Sequence, residues 1–191
     1  MLDLLKKQNE ELALITEKEK ISYKLLRQKI LYLSRKFKSR SINIVLCTNT
    51  IDSIVIYLSL LYAGAVPLLL SNELDKTNIN FYKKKYKVKT VISNKEKKLD
   101  FAYKNWDYGN YIISEFEDFN LVKNKELSLL LTTSGSTGNP KVVRLSKQNI
   151  ISNTKSICEY LSLKPQDRHI TTLPMNYTYG LSCINTFLYA G

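Results

Sequence analysis

The chain has 191 residues, 44% of them hydrophobic, and its 29 Lys and Arg against 17 Asp and Glu leave a formal net charge of +12. Such a composition can bury one real core, which excludes disordered and fibrous classes. A single His and three Cys with no CxxC pair exclude a zinc ribbon and a Ser-His-Asp hydrolase; Cys47, Cys158 and Cys183 fit reduced, mostly buried thiols of a cytoplasmic protein.

The start, MLDLLKKQNEEL, is amphipathic and charged, unlike a signal or transit peptide, and residues 2–11 are expected as a helix. Leu12–Ile15 and Ile21 predict a short strand pair, with Ser22 as the N-cap of the next helix. Over residues 23–37 apolar side chains fall at Leu26, Ile30, Leu33 and Phe37, the spacing of one helical face. Ile42–Cys47 predicts a buried strand. Residues 53–72 then carry no charge over 20 positions, long enough to cross a bilayer. Gly64 and Pro67 interrupt that run and Asp52 stands at its start. A buried helix capped by Thr50 or Asn49, ending at Ala63 with Gly64 at C′, followed by a buried strand over residues 66–70, accounts for it without a membrane span.

A Lys-rich helix and a strand over residues 90–93 come next. Residues 95–110 are polar and predict mostly loop, and residues 111–113 a short strand. The apolar run 127–131 predicts a buried strand, and Val142 and Val143 begin another. Ser146 is placed to cap a helix over residues 147–161, with Pro165 beyond its end. His169 heads a predicted strand over residues 170–173 and is expected to be structural. A last helix is expected over residues 179–189. Strands alternating with helices imply an α/β fold, with parallel-sheet layers flanked by helices and right-handed crossovers.

The most informative segment is LLTTSGSTGNPK, residues 130–141. Six consecutive positions, Thr133, Ser134, Gly135, Ser136, Thr137 and Gly138, are hydroxyl-bearing or Gly, and Asn139, Pro140 and Lys141 follow. Glycines let backbone N–H groups approach an anion, hydroxyls add donors and Lys adds a point charge, so a loop of this kind between two strands is a phosphate cradle. It is not a Walker A loop, because Lys141 follows Pro140 and precedes Val142. It is not a G-x-G-x-x-G turn either, because its only glycines are Gly135 and Gly138. With small polar residues and no apolar anchor, the loop is expected to be mobile without its ligand.

The loop resembles the nucleotide-phosphate loop of the adenylate-forming enzymes, the superfamily of acyl-CoA synthetases, peptide-synthetase adenylation domains and firefly luciferase. Three further segments resemble that family in the right order: residues 13–26 its entry, AGAVPLLL at residues 63–70 its helix-to-strand joint, and LPMNYTYGLS at residues 173–182 its next motif. The resemblance covers essentially the whole chain and implies that residues 1–191 are the N-terminal part of the large AMP-binding domain. The expectation is then of a fragment, with the adenine, ribose and metal-binding segments, the rest of the large domain and the C-terminal domain lying beyond Gly191.

The family's chemistry, by implication, is ATP-dependent activation of a small-molecule carboxylic acid as acyl-adenylate. Pyrophosphate leaves, and the acyl group passes to CoA or to the phosphopantetheine of a carrier protein. Thr133, Ser134, Ser136 and Thr137 should donate to the β- and γ-phosphates, Gly135 and Gly138 should let the loop close, and Lys141 should supply positive charge or anchor the loop. Mg²⁺ is expected as a cofactor, with no metal ligand assigned in this chain. Where many acyl-CoA synthetases carry His, four residues after the Leu of Leu-Pro, this chain has Tyr177; Tyr177 and Asn176 are the expected acid-pocket residues. Two other classes compete: a non-catalytic phosphate- or nucleotide-binding remnant, and a basic nucleic-acid binder built on KKKYKVK (83–89) with Phe81, Tyr82 and Tyr86 interleaved. No RNA- or DNA-binding signature accompanies that stripe, so nucleic acid ranks well behind ATP as a partner.

Overall fold

A computed structural model describes Leu5 and residues 10–97, 102–132 and 141–191. The phosphate-loop residues 133–140, and with them the expected mobility of that loop, lie outside the described residues, as does most of the helix expected over residues 2–11. The described end of that range, Glu10 and Glu11, is not helical; instead the Glu11 carbonyl accepts from Tyr23 N at 2.9 Å.

A two-stranded antiparallel sheet of β1 (Leu12–Ile15) and β2 (Lys20–Ser22) precedes the main body. Helix α1 (Tyr23–Ser34) starts at Ser22, whose side chain accepts from Leu25 N. Then follow β3 (Ile42–Cys47), α2 (Ile51–Tyr62), β4 (Val66–Ser71), α3 (Lys76–Tyr86), β5 (Thr90–Asn94), β6 (Lys104–Tyr108), β7 (Tyr111–Glu115), β8 (Leu127–Thr132), β9 (Val142–Ser146), α4 (Lys147–Tyr160) and α5 (Thr178–Ala190). One seven-stranded sheet runs in the order β6-β7-β5-β3-β4-β8-β9.

Its four central strands, β5-β3-β4-β8, are parallel, as alternating strands and helices predict. The flanks are not. β7 and β6 add antiparallel at one edge and β9 at the other. The expected α/β fold with parallel strands flanked by helices is thus present, and antiparallel strands extend the sheet at both edges. A two-residue tip suffices to turn β6 into β7, and an antiparallel return needs no crossover helix.

Strand β6 lies in a stretch expected as loop. It escapes a composition-based reading because Lys104, Asn105 and Asp107 face outward, while Trp106 and Tyr108 pack inward against the core. The converse holds for residues 170–173. They form no strand, and Ile170 is 80% exposed. Two of their carbonyls are taken by a side chain rather than by a neighbouring strand, as described below.

Helix α2 explains much of the packing. It is apolar nearly all round, with ten of its twelve residues buried, so it must be covered on every side. Thr50 is its N-cap and accepts from Ser53 N, Asp52 in the first turn complements the helix dipole, and Gly64 follows its end at φ +70°. Alternation splits the sheet into two faces. Val45, Leu69, Leu129 and Leu131 meet α1, α2, α4 and α5 on one face. Ile44, Leu46, Leu68, Leu70 and Leu130 meet α3 on the other, through Ile79 and Tyr82. Buried tyrosines tie the helical layer together: Tyr57 and Asn185 exchange hydrogen bonds between α2 and α5 at 3.3 and 3.2 Å, and Tyr23 donates to Leu188 O at 3.1 Å. Burial pushes the Tyr57 phenol up and the Tyr23 phenol up to about 12.

The three cysteines are free, Cys47 buried and Cys158 and Cys183 half-buried, and burial raises all three thiols. No helix among the described residues is long and apolar enough to cross a membrane.

One polar pair sits inside the sheet. Asn43 and Thr90 face each other across β3 and β5, and the Thr90 hydroxyl donates to Asn43 Oδ1 at 2.9 Å. The Asn43 amide is used up by the Ser41 carbonyl and hydroxyl at 2.9 and 3.1 Å. Thr90→Val keeps the shape and strands a buried acceptor. It should lower unfolding free energy by about 1–3 kcal/mol, measured as a shift of the urea midpoint at unchanged slope.

Candidate functional site

Parallel pairing brings the carboxyl ends of β3, β4 and β8 to one edge of the sheet, with Cys47 beside Ser71 and Leu69 beside Leu131. In open α/β sheets this is the edge where ligands bind. β3 and β8 flank β4, so their axes lie about 10 Å apart. Segment 133–140 leaves from this edge. Its two ends are held together, because Thr132 and Val142 are partners across the antiparallel β8–β9 pair. Of the predicted phosphate-binding set, Thr133, Ser134, Gly135, Ser136, Thr137 and Gly138 lie outside the described residues. Lys141 is described; it is exposed and directly precedes β9.

The second predicted group, Asn176 and Tyr177, sits on an irregular segment leading into α5. Asn176 is 4% exposed and Tyr177 49%. Tyr177 is the N-cap residue of α5, with no side-chain cap hydrogen bond; its N–H donates to Pro174 O at 3.1 Å and its carbonyl accepts from Leu181 N at 3.0 Å.

What fixes this segment is Asn49, at the carboxyl end of β3. Its amide nitrogen donates to Thr171 O at 2.9 Å and Leu173 O at 2.8 Å, and its oxygen accepts from Met175 N at 3.0 Å. Met175 is fully buried, and its Sδ accepts from Ser53 Oγ of α2 at 3.2 Å. Sequence reading offers Asn49 only as an alternative helix cap, a role that Thr50 takes. Its partners lie more than 120 residues away, so no local pattern reveals them.

Gly180 belongs to the same arrangement. A Cβ built there would meet Pro174 O at 2.4 Å and Leu173 O at 2.7 Å. The first turn of α5 thus lies directly on the Leu-Pro backbone, which only Gly permits.

Neighbouring features bound the edge. A hydroxyl chain runs from buried Tyr111 to Thr48 at 2.6 Å and on to Thr50 at 3.1 Å. Asp52 accepts from Asn110 N at 3.0 Å, holding the β6–β7 turn against the start of α2. A cleft of about 370 Å³ opens beside Asn49, lined among others by Leu14, Ile54, Thr171 and Phe187. A second cavity of about 510 Å³ lies between β8, β9, α4 and α5. Neither takes Asn176 or Tyr177 into its lining. His169 stacks on Phe187 with ring centroids 5.0 Å apart, the structural role expected of it.

The basic stripe lies elsewhere, around the end of α3 and the start of β5, which is the opposite edge of the parallel strands. Tyr82 is buried and stacks on half-buried Tyr86 at 6.3 Å, while Phe81 is exposed. Lys87 pairs with Asp118, and Lys89 with Glu115 at 3.3 Å. Lys83 and Lys89 lie over the rings of Phe116 and Phe119.

The profile of the family described as AMP-binding enzyme matches residues 4–191. The chain belongs to that family. Among its relatives, a 2-succinylbenzoate–CoA ligase of Oceanobacillus iheyensis is 29% identical over 145 residues, which is 72% of this chain and 30% of that protein. One from Bacillus cereus is 27% identical over 188 residues, 90% of this chain and 37% of that protein. The chain thus spans about a third of the length of these relatives. In fold it is similar to MatB of Rhodopseudomonas palustris, solved with ATP bound, at a TM-score of 0.78 and 22% identity over 99% of this chain and 43% of that one. It is also similar to the MenE O-succinylbenzoate CoA synthetase of Bacillus subtilis, solved with AMP, at a TM-score of 0.75 and 18% identity over 94% of this chain and 50% of that one.

The contact at Gly180 can be tested by substitution. Gly180→Ala should push the Leu173–Pro174 backbone off α5 and destabilise the chain by about 1–3 kcal/mol, an overpacking cost. Urea unfolding followed by circular dichroism measures it.

Proposed function

We propose that this chain forms the phosphate-loop part of the large domain of an acid–thiol ligase of the acyl-CoA synthetase type. The observation that carries the reading is the family match over residues 4–191, which takes in the hydroxyl- and Gly-rich segment that follows β8 in sequence. In the first step a carboxylate oxygen of the acid attacks the α-phosphorus of ATP. The bond to the bridging oxygen of the β-phosphate breaks and pyrophosphate leaves. In the second, a thiol attacks the acyl carbon of the adenylate and AMP leaves. CoA is the favoured thiol, as in the ligases that the chain resembles; the phosphopantetheine of a carrier protein is the alternative.

The donor set suits a polyphosphate. Four hydroxyls, on Thr133, Ser134, Ser136 and Thr137, offer hydrogen bonds to the β- and γ-oxygens, and Gly135 and Gly138 admit backbone N–H groups. Lys141 offers fixed positive charge where negative charge accumulates on the leaving pyrophosphate. Asn176 and the half-exposed Tyr177 are assigned to the acid side, Tyr177 as a wall rather than as a proton carrier. Mg²⁺ is proposed to accompany the ATP phosphates, held mainly by their oxygens and by water; among the described residues no group of three or more His, Cys, Asp or Glu could hold a metal without them. Free thiols and a soluble thiol acceptor suit a cytoplasmic setting.

Two experiments test the reading. The full-length protein should catalyse acid-dependent exchange of radiolabelled pyrophosphate into ATP, whereas residues 1–191 by themselves should not. Exchange by the short chain, or none from the full-length protein with any of a panel of carboxylic acids, contradicts it. Within the active protein, Lys141→Ala should slow adenylation roughly a hundredfold, a few kcal/mol of transition-state stabilisation, with the unfolding midpoint little changed. An unaltered rate removes Lys141 from the site.

A further inference from the structure

Asn49 stands outside every residue assigned above to nucleotide or acid, yet one amide of it holds three backbone groups of a distant segment. We propose that Asn49 is a positioning residue for recognition of the carboxylic acid, acting through residues 173–177; the inference rests on the ligase reading.

The chemistry of the contact is specific. The segment presents two carbonyls and one N–H to position 49, so the side chain there must donate twice and accept once. A carboxamide does this; Asp cannot donate, and a Ser hydroxyl has one proton. The segment itself has no helix or strand. Beyond the α5 turn packed on it at Gly180, its placement depends on Asn49 and on Met175, which is fully buried against α2. These two anchors are not equivalent. Met175 holds the segment to the core by burial, a non-directional force that resists removal but tolerates rotation. Asn49 supplies the directional bonds that set its orientation.

Orientation matters because Asn176 and Tyr177 come next in the chain. The Pro174 carbonyl accepts from Tyr177 N, so a shift at Leu173 is carried directly into the residues assigned to the acid. Asn49 extends from β3, and the phosphate loop from β8, with β4 pairing both. The same three rigid strands therefore set the acid-side segment relative to the phosphates. An in-line attack needs this, because the reacting atoms must approach to about 3–3.5 Å.

Loss of Asn49 should leave Met175 in the core and the fold intact, and appear as weakened use of the acid. In the full-length protein, Asn49→Ala and Asn49→Asp should each raise KM for the acid roughly tenfold, the scale of a few modest hydrogen bonds. KM for ATP should stay within about twofold, because the phosphate contacts are untouched. In both variants the Met175 and Tyr177 amides should exchange with deuterium faster than in the wild type, while those of α2 and β3 keep their protection. An unchanged acid KM in an active protein overturns the inference and leaves the ligase reading standing. So do equal rises in both KM values with faster exchange across the whole sheet, which would mark a purely structural residue. A wild-type protein inert with every acid overturns the ligase reading, and this inference with it.

Discussion

Helix α2 has almost no polar face, and the rest of the chain is arranged to cover it. A helix of this kind in water would expose most of its side chains at a cost of roughly 1.5–3 kcal/mol for each large apolar residue. It is buried instead between the sheet, α1 and α5. The strands on either side of it in sequence, β3 and β4, pair in parallel along their full length, which a crossover helix between them allows. Once that unit exists, β5 and β8 can add only alongside it, and their carboxyl ends fall on the same edge. The edge at which β8 ends thus follows from the need to bury α2.

The same helix start organises the candidate site. Within five residues, Thr48 to Asp52, the turn from β3 into α2 supplies a hydroxyl bonded to Tyr111, the amide that pins residues 171–175, the helix cap, and the carboxylate that holds the β6–β7 turn. Each bond is modest, about 1 kcal/mol. Their value lies in geometry, because they fix two otherwise independent segments, the β6–β7 hairpin and residues 171–175, relative to one short turn. Tyr57 and Asn185 repeat the device inside the core, tying α2 to the helix that follows the Leu-Pro segment.

The basic surface at the other edge is built differently. Its lysines are interleaved with carboxylates and laid over aromatic rings of the same chain. Much of the stripe's charge and aromatic character is therefore taken up by internal contacts around the end of α3, at the opposite end of the parallel strands from their carboxyl edge.

What the sequence determined by itself is whatever local chemistry specifies. The hydroxyl-Gly segment and its Pro-Lys end are legible in sequence as the basis of the phosphate chemistry proposed here, because few other uses exist for that order of residues. Ser22, Thr50 and Ser146 are legible as caps because a cap is a contact over three residues. The runs at β3, α2 and β4 are legible because they are too apolar to be anywhere but inside. Tertiary structure decided the rest. β6 is a strand only because β7 is there to pair with it and the core is there to take Trp106 and Tyr108; its composition is that of a loop. Residues 170–173 look like a strand, yet they have no partner strand, and Asn49 takes their carbonyls instead. The glycine of the Leu-Pro motif is readable as a letter, but its reason, a carbonyl 2.4 Å from where a Cβ would stand, exists only after folding. Asn49 shows the same limit most clearly: hydrogen bonds spanning more than 120 residues leave no mark in any local window, because their geometry is created by the packing of α2 and not by the residues around them.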